Sequence, residues 1–200
     1  MRTTAGLVLA CVLSVSACSG QAAAPAPATS TTSSTVTTTP EAPGADPVAW
    51  FDAYCGPLGV AALALREIDG KASQGMAAVK EAVVSWVALA ASSDRMTADS
   101  LEKLGPLGSD VSNAHERLVK AKRQSADGFD DAAGRLRALA ADDVFPERYE
   151  QVMATSGGGA RENAELMFRQ IAETPKYAEA FRSNKTCESW QGLAKQAAGQ

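Results

Sequence analysis

The 200-residue chain holds a single histidine, His115. Glu116 follows it, but no second histidine stands at zinc-protease spacing. A mononuclear zinc site needs three or four ligands, often several of them His or Cys, so no metal site is expected and His115 reads as a surface residue on a helix. No Gly-x-Ser-x-Gly elbow presents a nucleophile. No spaced Gly-Lys-Ser/Thr loop cradles phosphate, and Gly157-Gly158-Gly159 reads as a turn between helices. The acids Asp127, Asp130 and Asp131, with Asp142-Asp143 after them, do not meet the calcium-loop pattern. They read as surface charge favoured near helix starts. With a net charge of −4 there is no basic excess for a nucleic-acid partner. Together these absences leave no catalytic residue and no cofactor to name, and a non-enzymatic protein is expected.

Aromatic residues are also scarce, at 6%, while alanine is abundant throughout. Strands favour β-branched and aromatic residues, and Ala is the best helix former. An all-α antiparallel helical bundle is therefore expected, with one long helix and several short ones, after a signal peptide and a disordered tether.

The leader occupies residues 1–17. Arg2 gives a positive start, and Ala5 to Val15 form an apolar stretch of about eleven residues. That is too short to span roughly 30 Å of hydrocarbon. Val15-Ser16-Ala17-Cys18 then matches the bacterial lipobox. The match implies that Cys18 takes a diacylglyceryl thioether and becomes the N-terminus. Cys11 follows a weaker box, Val8-Leu9-Ala10, and lies within the discarded peptide. Two acyl chains anchor stably where one binds marginally. The expected location is the extracytoplasmic face of the cell membrane, with the anchor as the only inserted part.

Residues 18–46 are nearly all Ala, Pro, Ser, Thr and Gly. Such a segment cannot bury enough apolar surface to order itself. As a flexible coil of about 29 residues it spans roughly 30 Å. Its Ser/Thr run fits an O-glycosylated stalk and an unmodified spacer equally well.

The folded domain, 47–200, starts at Asp46-Pro47, an N-cap followed by proline. Helical patterns cover Val48 to Ile68, with a break or kink at Gly56-Pro57, and Ser73 to Ala91, with a short turn of helix at Thr97 to Leu104. The stripe Leu107, Val111, Ala114, Leu118, Ala121 continues through Phe129, Ala132, Leu136 and Leu139. It is one helix from about Ser109 to Ala140, or two with a break near Ser125. Shorter helices follow Pro146, Ala160 and Pro175, with Thr174 as a cap, and Thr186 caps the last. Lys120, Lys122 and Arg123 read as part of a solvated mixed-charge face. Trp50, Phe51 and Tyr54 are too closely spaced for all to face inward; core packing, in part against Cys55, is the ordinary expectation for such residues, and an exposed remainder would suit a partner or lipid.

With Cys11 removed and Cys18 acylated, Cys55 and Cys187 remain, and two thiols allow only one intramolecular pairing. An exported domain permits that bridge; two buried free thiols are the alternative. The lipobox, the Thr/Ser/Pro tether, Trp50-Phe51-x-x-Tyr54-Cys55 and Thr174-Pro175 with Ala180-Phe181 before Cys187 resemble small actinobacterial, mycobacterial-type cell-envelope lipoproteins. That group implies no uniform activity. The expectation is a lipid-anchored helical module contacting an envelope component or protein partner. The alternative is a carrier of lipid or a small apolar ligand, with a cavity between helices lined by Met76, Trp86, Leu118 and Phe168.

Overall fold

Asp46 opens the first helix. Its carboxylate accepts from the Ala49 backbone N–H at 2.8 Å, and Pro47 takes the first helical position, where a missing N–H leaves nothing unsatisfied. The computed structural model describes residues 44–197, with side chains to residue 192. The leader, Cys18 and the tether up to residue 43 lie outside the described residues.

Helix α1 runs Pro47–Asp69, with Pro57 inside it, so the break expected at Gly56-Pro57 does not occur. An interior proline removes one hydrogen bond, but packing grips both sides of it. Before it, Trp50, Phe51, Tyr54 and Cys55 are buried. After it, Trp86 Nε1 donates to the Ala61 carbonyl at 3.0 Å.

Helix α2 runs Met76–Leu104 without interruption. The sequence reading ends one segment near Ala91 and begins the next at Thr97, leaving Ser92 to Met96 between them. Ser93 and Asp94 are buried. Helix α3 is continuous over Ser112–Ala138, after a 3₁₀ turn at Ser109–Val111, with no break near Ser125. Its length is about 40 Å at 1.5 Å per residue. Among the described residues long helices thus number three, where the sequence reading expected one.

The short helices are α4 (Phe145–Thr155), α5 (Ala160–Ala172), α6 (Pro175–Ser183) and α7 (Lys185–Ala197). Gly157, Gly158 and Gly159 join α4 to α5 with φ of 84°, 50° and 80°, a left-handed run that glycine adopts at little cost. Thr174 stands at the cap position of α6, but its hydroxyl donates to the Gln170 carbonyl at 2.8 Å instead of capping. At α7 the cap is Asn184, whose Oδ1 accepts from the Cys187 N–H at 2.9 Å. Thr186, expected there, donates to Asp52 Oδ1 at 2.7 Å.

Helices α2 and α3 run antiparallel. Lys80 reaches the Arg137 carbonyl, Arg95 reaches Asp130, and Arg123 reaches Glu102, so partners descend along α3 as they climb α2. The described residues contain no strand, and the all-α bundle is the observed architecture. Its interior forms two clusters. One gathers Trp50, Phe51, Tyr54, Leu101, Leu118, Phe168 and the Cys55–Cys187 disulfide. The other gathers Val83, Val87, Ala132, Leu136, Phe145 and Val152. By length and composition alone, α1 and α2 are each apolar enough to cross a membrane; both are also walls of this interior.

Candidate functional site

Helices α2 and α3 each turn one charge inward where they cross. Lys122 Nζ donates to Asp94 Oδ1 at 2.6 Å, with the two side chains 7% and 6% exposed. Charges are rarely buried unless paired, and this pair satisfies that condition. The ammonium also lies 5.1 Å from the centre of the Tyr54 ring on α1, a distance at which a cation is drawn to the ring face. Tyr54 in turn stacks on Phe168 of α5, with ring centres 3.7 Å apart.

Ser125, one turn along α3 from Lys122, is 2% exposed. Its hydroxyl has no hydrogen-bond partner. Thr97, one turn from Asp94 on α2, is fully buried with its hydroxyl also unpaired. A buried polar group without a partner costs about 1–3 kcal/mol, so such groups in a native fold mark places to look for a function.

Tyr54, Asp94, Lys122 and Ser125 line one cleft of about 390 Å3. Leu58, Phe129, Phe168 and Trp190 supply its apolar walls, and Arg161, Glu162 and Glu165 stand with them in the lining. The Arg161 guanidinium sits 5.5 Å from the Phe129 ring centre. Five helices converge here: α1, α2, α3, α5 and α7. Burial pushes the Tyr54 phenol far above its ordinary range, and the charges of Asp94 and Glu165 push the same way. The phenol therefore stays protonated. Ser125 has no base within hydrogen-bond reach, and Lys122 is committed to Asp94. The arrangement lacks what activates a serine nucleophile; a few polar residues among apolar walls are the makeup of a binding site.

Sequence reasoning passes over these residues. Lys122 reads as one of a solvated basic run, but only Lys120 and Arg123 are exposed, Arg123 reaching Glu102. Asp94 falls between the two segments that the sequence reading assigns to helix. The signal that finds Lys122 and Ser125 is spacing. Leu118, Lys122, Ser125 and Phe129 follow one another at four, three and four residues, the interval of a core stripe.

Other expectations meet mixed outcomes. His115 is not a surface residue: it is 5% exposed, and its Nδ1 accepts from Trp50 Nε1 at 3.3 Å. That bond places its remaining proton on Nε2 in the neutral ring. Burial lowers the His115 pKa, opposed by the charge of Glu116. Trp50, Phe51 and Tyr54 are all buried, leaving no exposed remainder. At 100° per residue their three Cβ positions fall within one arc of about 100°, which the surrounding helices cover. Met76 and Trp86 belong to one cluster and Leu118 and Phe168 to the other, so the four do not line one cavity. Asp127 and Asp130 pair with Arg95, Asp131 with Arg135 and Asp142 with Arg148, all on the surface. Among the described residues no cluster of potential metal ligands occurs. Cys55 and Cys187 meet in the expected disulfide.

No protein-family model, curated protein or solved structure matches this chain.

Proposed function

We propose that the chain is a lipid-anchored helical module at the extracytoplasmic face of the cell membrane, without enzymatic activity, that contacts a component of the envelope. The observation carrying this reading is the order of positive start, apolar stretch and Val15-Ser16-Ala17-Cys18. The Cys55–Cys187 bridge supports it, because such bonds persist outside the reducing cytosol. The resemblance to actinobacterial, mycobacterial-type envelope lipoproteins belongs to the same proposal. Mass spectrometry of the membrane fraction tests it: diacylated Cys18 is the expected N-terminal residue, and an unmodified soluble chain overturns the reading.

A second reading has its own observation. The cleft among α1, α2, α3, α5 and α7 offers about 390 Å3 walled by Leu58, Phe129, Phe168 and Trp190, which favours a carrier or binding protein for a small molecule. Native mass spectrometry of the chain taken from its host separates the two readings, since a carrier retains a guest and an adaptor does not.

A further inference from the structure

From Gly56 to Leu65, α1 reads Gly-Pro-Leu-Gly-Val-Ala-Ala-Leu-Ala-Leu, and not one of these residues is buried. The first half of the same helix buries Trp50, Phe51, Tyr54 and Cys55. Val60 and Leu63 are more than half exposed. The composition that makes α1 apolar enough to cross a membrane is thus used only in part by the interior, which buries 22% of that stretch. Single exposed apolar side chains are ordinary, but a continuous apolar face marks a contact surface. Helix α2 extends that face. It runs antiparallel to α1, with Trp86 bonded to the Ala61 carbonyl and Asp94 sharing a cleft with Tyr54. Residues 53–65 of α1 and 82–93 of α2 carry no charge, so the two charge-free stretches lie side by side. They form a band about 20 Å long at 1.5 Å per residue. Ala64, Ala82, Ser85 and Leu89 line the groove between the helices. Val60 lies one turn from Ala64, and Met96, also more than half exposed, lies two turns from Leu89, so both share that face.

The occupant of this face follows from what lies within its reach. On the reading that Cys18 is acylated, residues 18–46 run from the anchor to the start of α1. As a flexible coil, that length spans roughly 30 Å. Val60 lies about 20 Å along α1 from Asp46 at 1.5 Å per residue, inside that span. Tethering turns a second contact into an intramolecular event at high effective concentration, so the bilayer is the apolar phase always presented to this face. Helix α1 cannot turn to cross it, because the Cys55–Cys187 disulfide and the buried aromatic residues hold its first half in the bundle. A helix held in this way lies in the interface plane with its apolar face toward the acyl chains. The charges around the α1–α2 turn, Arg66, Glu67, Asp69, Lys71, Lys80 and Glu81, cancel in sign. They leave no excess of cations to draw anionic headgroups. We propose that the outer face of α1 and α2, centred on Val60, Leu63, Leu89 and Met96, rests in the bilayer interface, with the acyl and glycerol region of the lipid as its partner. This rests on the anchored reading and adds a second contact to the anchor.

Nitroxide labelling of the full lipidated chain in phosphatidylcholine vesicles tests this. Labels go singly at Leu63→Cys, Met96→Cys and Glu150→Cys, the last exposed on α4. Cys55 and Cys187 are bridged and take none. Collisions with oxygen, which concentrates among acyl chains, are compared with collisions with a water-soluble nickel chelate. The labels at 63 and 96 are expected to favour oxygen, and the label at 150 nickel. Val60→Asp with Leu63→Asp, both at exposed sites, should return the label at 96 to water while the chain still floats with the vesicles. Val60→Gln with Leu63→Gln carries the same test if the aspartates lower the helix content. Adding phosphatidylglycerol should leave every reading unchanged. Nickel-dominated readings at 63 and 96 overturn the inference, and the anchored reading stands if the chain floats. Dipolar broadening between labels at 63 overturns it in favour of a second copy on this face. Immersion that needs phosphatidylglycerol, or that survives the aspartates, overturns it as well. A chain that neither floats nor carries acyl groups removes the inference and the anchored reading together.

Discussion

Lys122 and Asp94 show what one inward charge demands of its neighbours. Each is tolerable only because the other is there. Lys122→Met is expected to cost about 3–5 kcal/mol, because it leaves Asp94 charged, buried and alone. Lys122→Met with Asp94→Leu should recover most of that loss, since apolar replacement of a whole buried pair is often neutral. Urea unfolding of both variants checks this; equal losses would show that the pair is not coupled. His115 gives a second test at this scale, in pH. Burial holds its folded pKa below the ordinary value, so the unfolded chain takes up a proton first as pH falls. The contribution of His115 to stability is complete above about pH 6.5 and declines below it. The melting temperature should therefore drop from pH 7 toward pH 5, and more for the parent than for His115→Gln, which keeps an acceptor for the Trp50 N–H but does not titrate. Parallel curves for the two proteins would remove His115 from the account. Neither residue's burial is legible from its type. A charged or titratable side chain reads as solvated until its place in the 3.6-residue stripe is weighed against its identity, and here place prevails.

Among elements, α3 carries two glycines with opposite reasons to be there. A Cβ on Gly128 would lie 2.4 Å from Gly157 Cα and 2.7 Å from its nitrogen, both backbone atoms of the turn between α4 and α5. A Cβ on Gly134 meets nothing within 4 Å. Gly128→Ala should therefore lower stability by about 1–3 kcal/mol, the usual range for overpacking, and Gly134→Ala should raise it by up to roughly 1 kcal/mol as a plain gain in helix propensity. Chemical denaturation of the two variants reads the contrast; losses of the same sign would mean the close approach to Gly157 is not what holds Gly128. From sequence both glycines only weaken a helix, because the approach to Gly157 is a tertiary fact. Helix starts at proline, the glycine turns and the stripe of α3 were legible because each is written within a few neighbouring residues. The joining of two expected segments into α2 was not, because Ser93 and Asp94 are satisfied by packing and by a partner 28 residues away. Pro57 belongs with them: local chemistry argues for a break, and contacts from α2 and α7 keep the helix whole.

At the scale of the molecule, the Cys55–Cys187 disulfide closes the domain by tying α1 to α7 across a separation of 132 residues. In the chain-entropy picture a loop of that size contributes about 5 kcal/mol, and native bridges commonly contribute about 2–5 kcal/mol. Cysteine counting predicts the pairing, but not where the bridge sits. It lies in the cluster of Trp50, Phe51, Leu118 and Phe168, while Val83, Val87, Leu136 and Phe145 form the second cluster. The effect of losing it should therefore be uneven. Cys55→Ser is expected to lower the melting temperature by several degrees or more, given about 2–4 °C per kcal/mol for a domain of this size. Hydrogen exchange should locate the loss. Amides of α7 and of the first half of α1 are freed to open together, at a free energy below that of global unfolding. Amides in the middle of α2 and the second half of α3, which interlock through Arg95, Lys80 and the second cluster, should keep most of their protection. Uniform loss across all helices would mean that the two clusters unfold as one and that the bridge stabilises the bundle only as a whole.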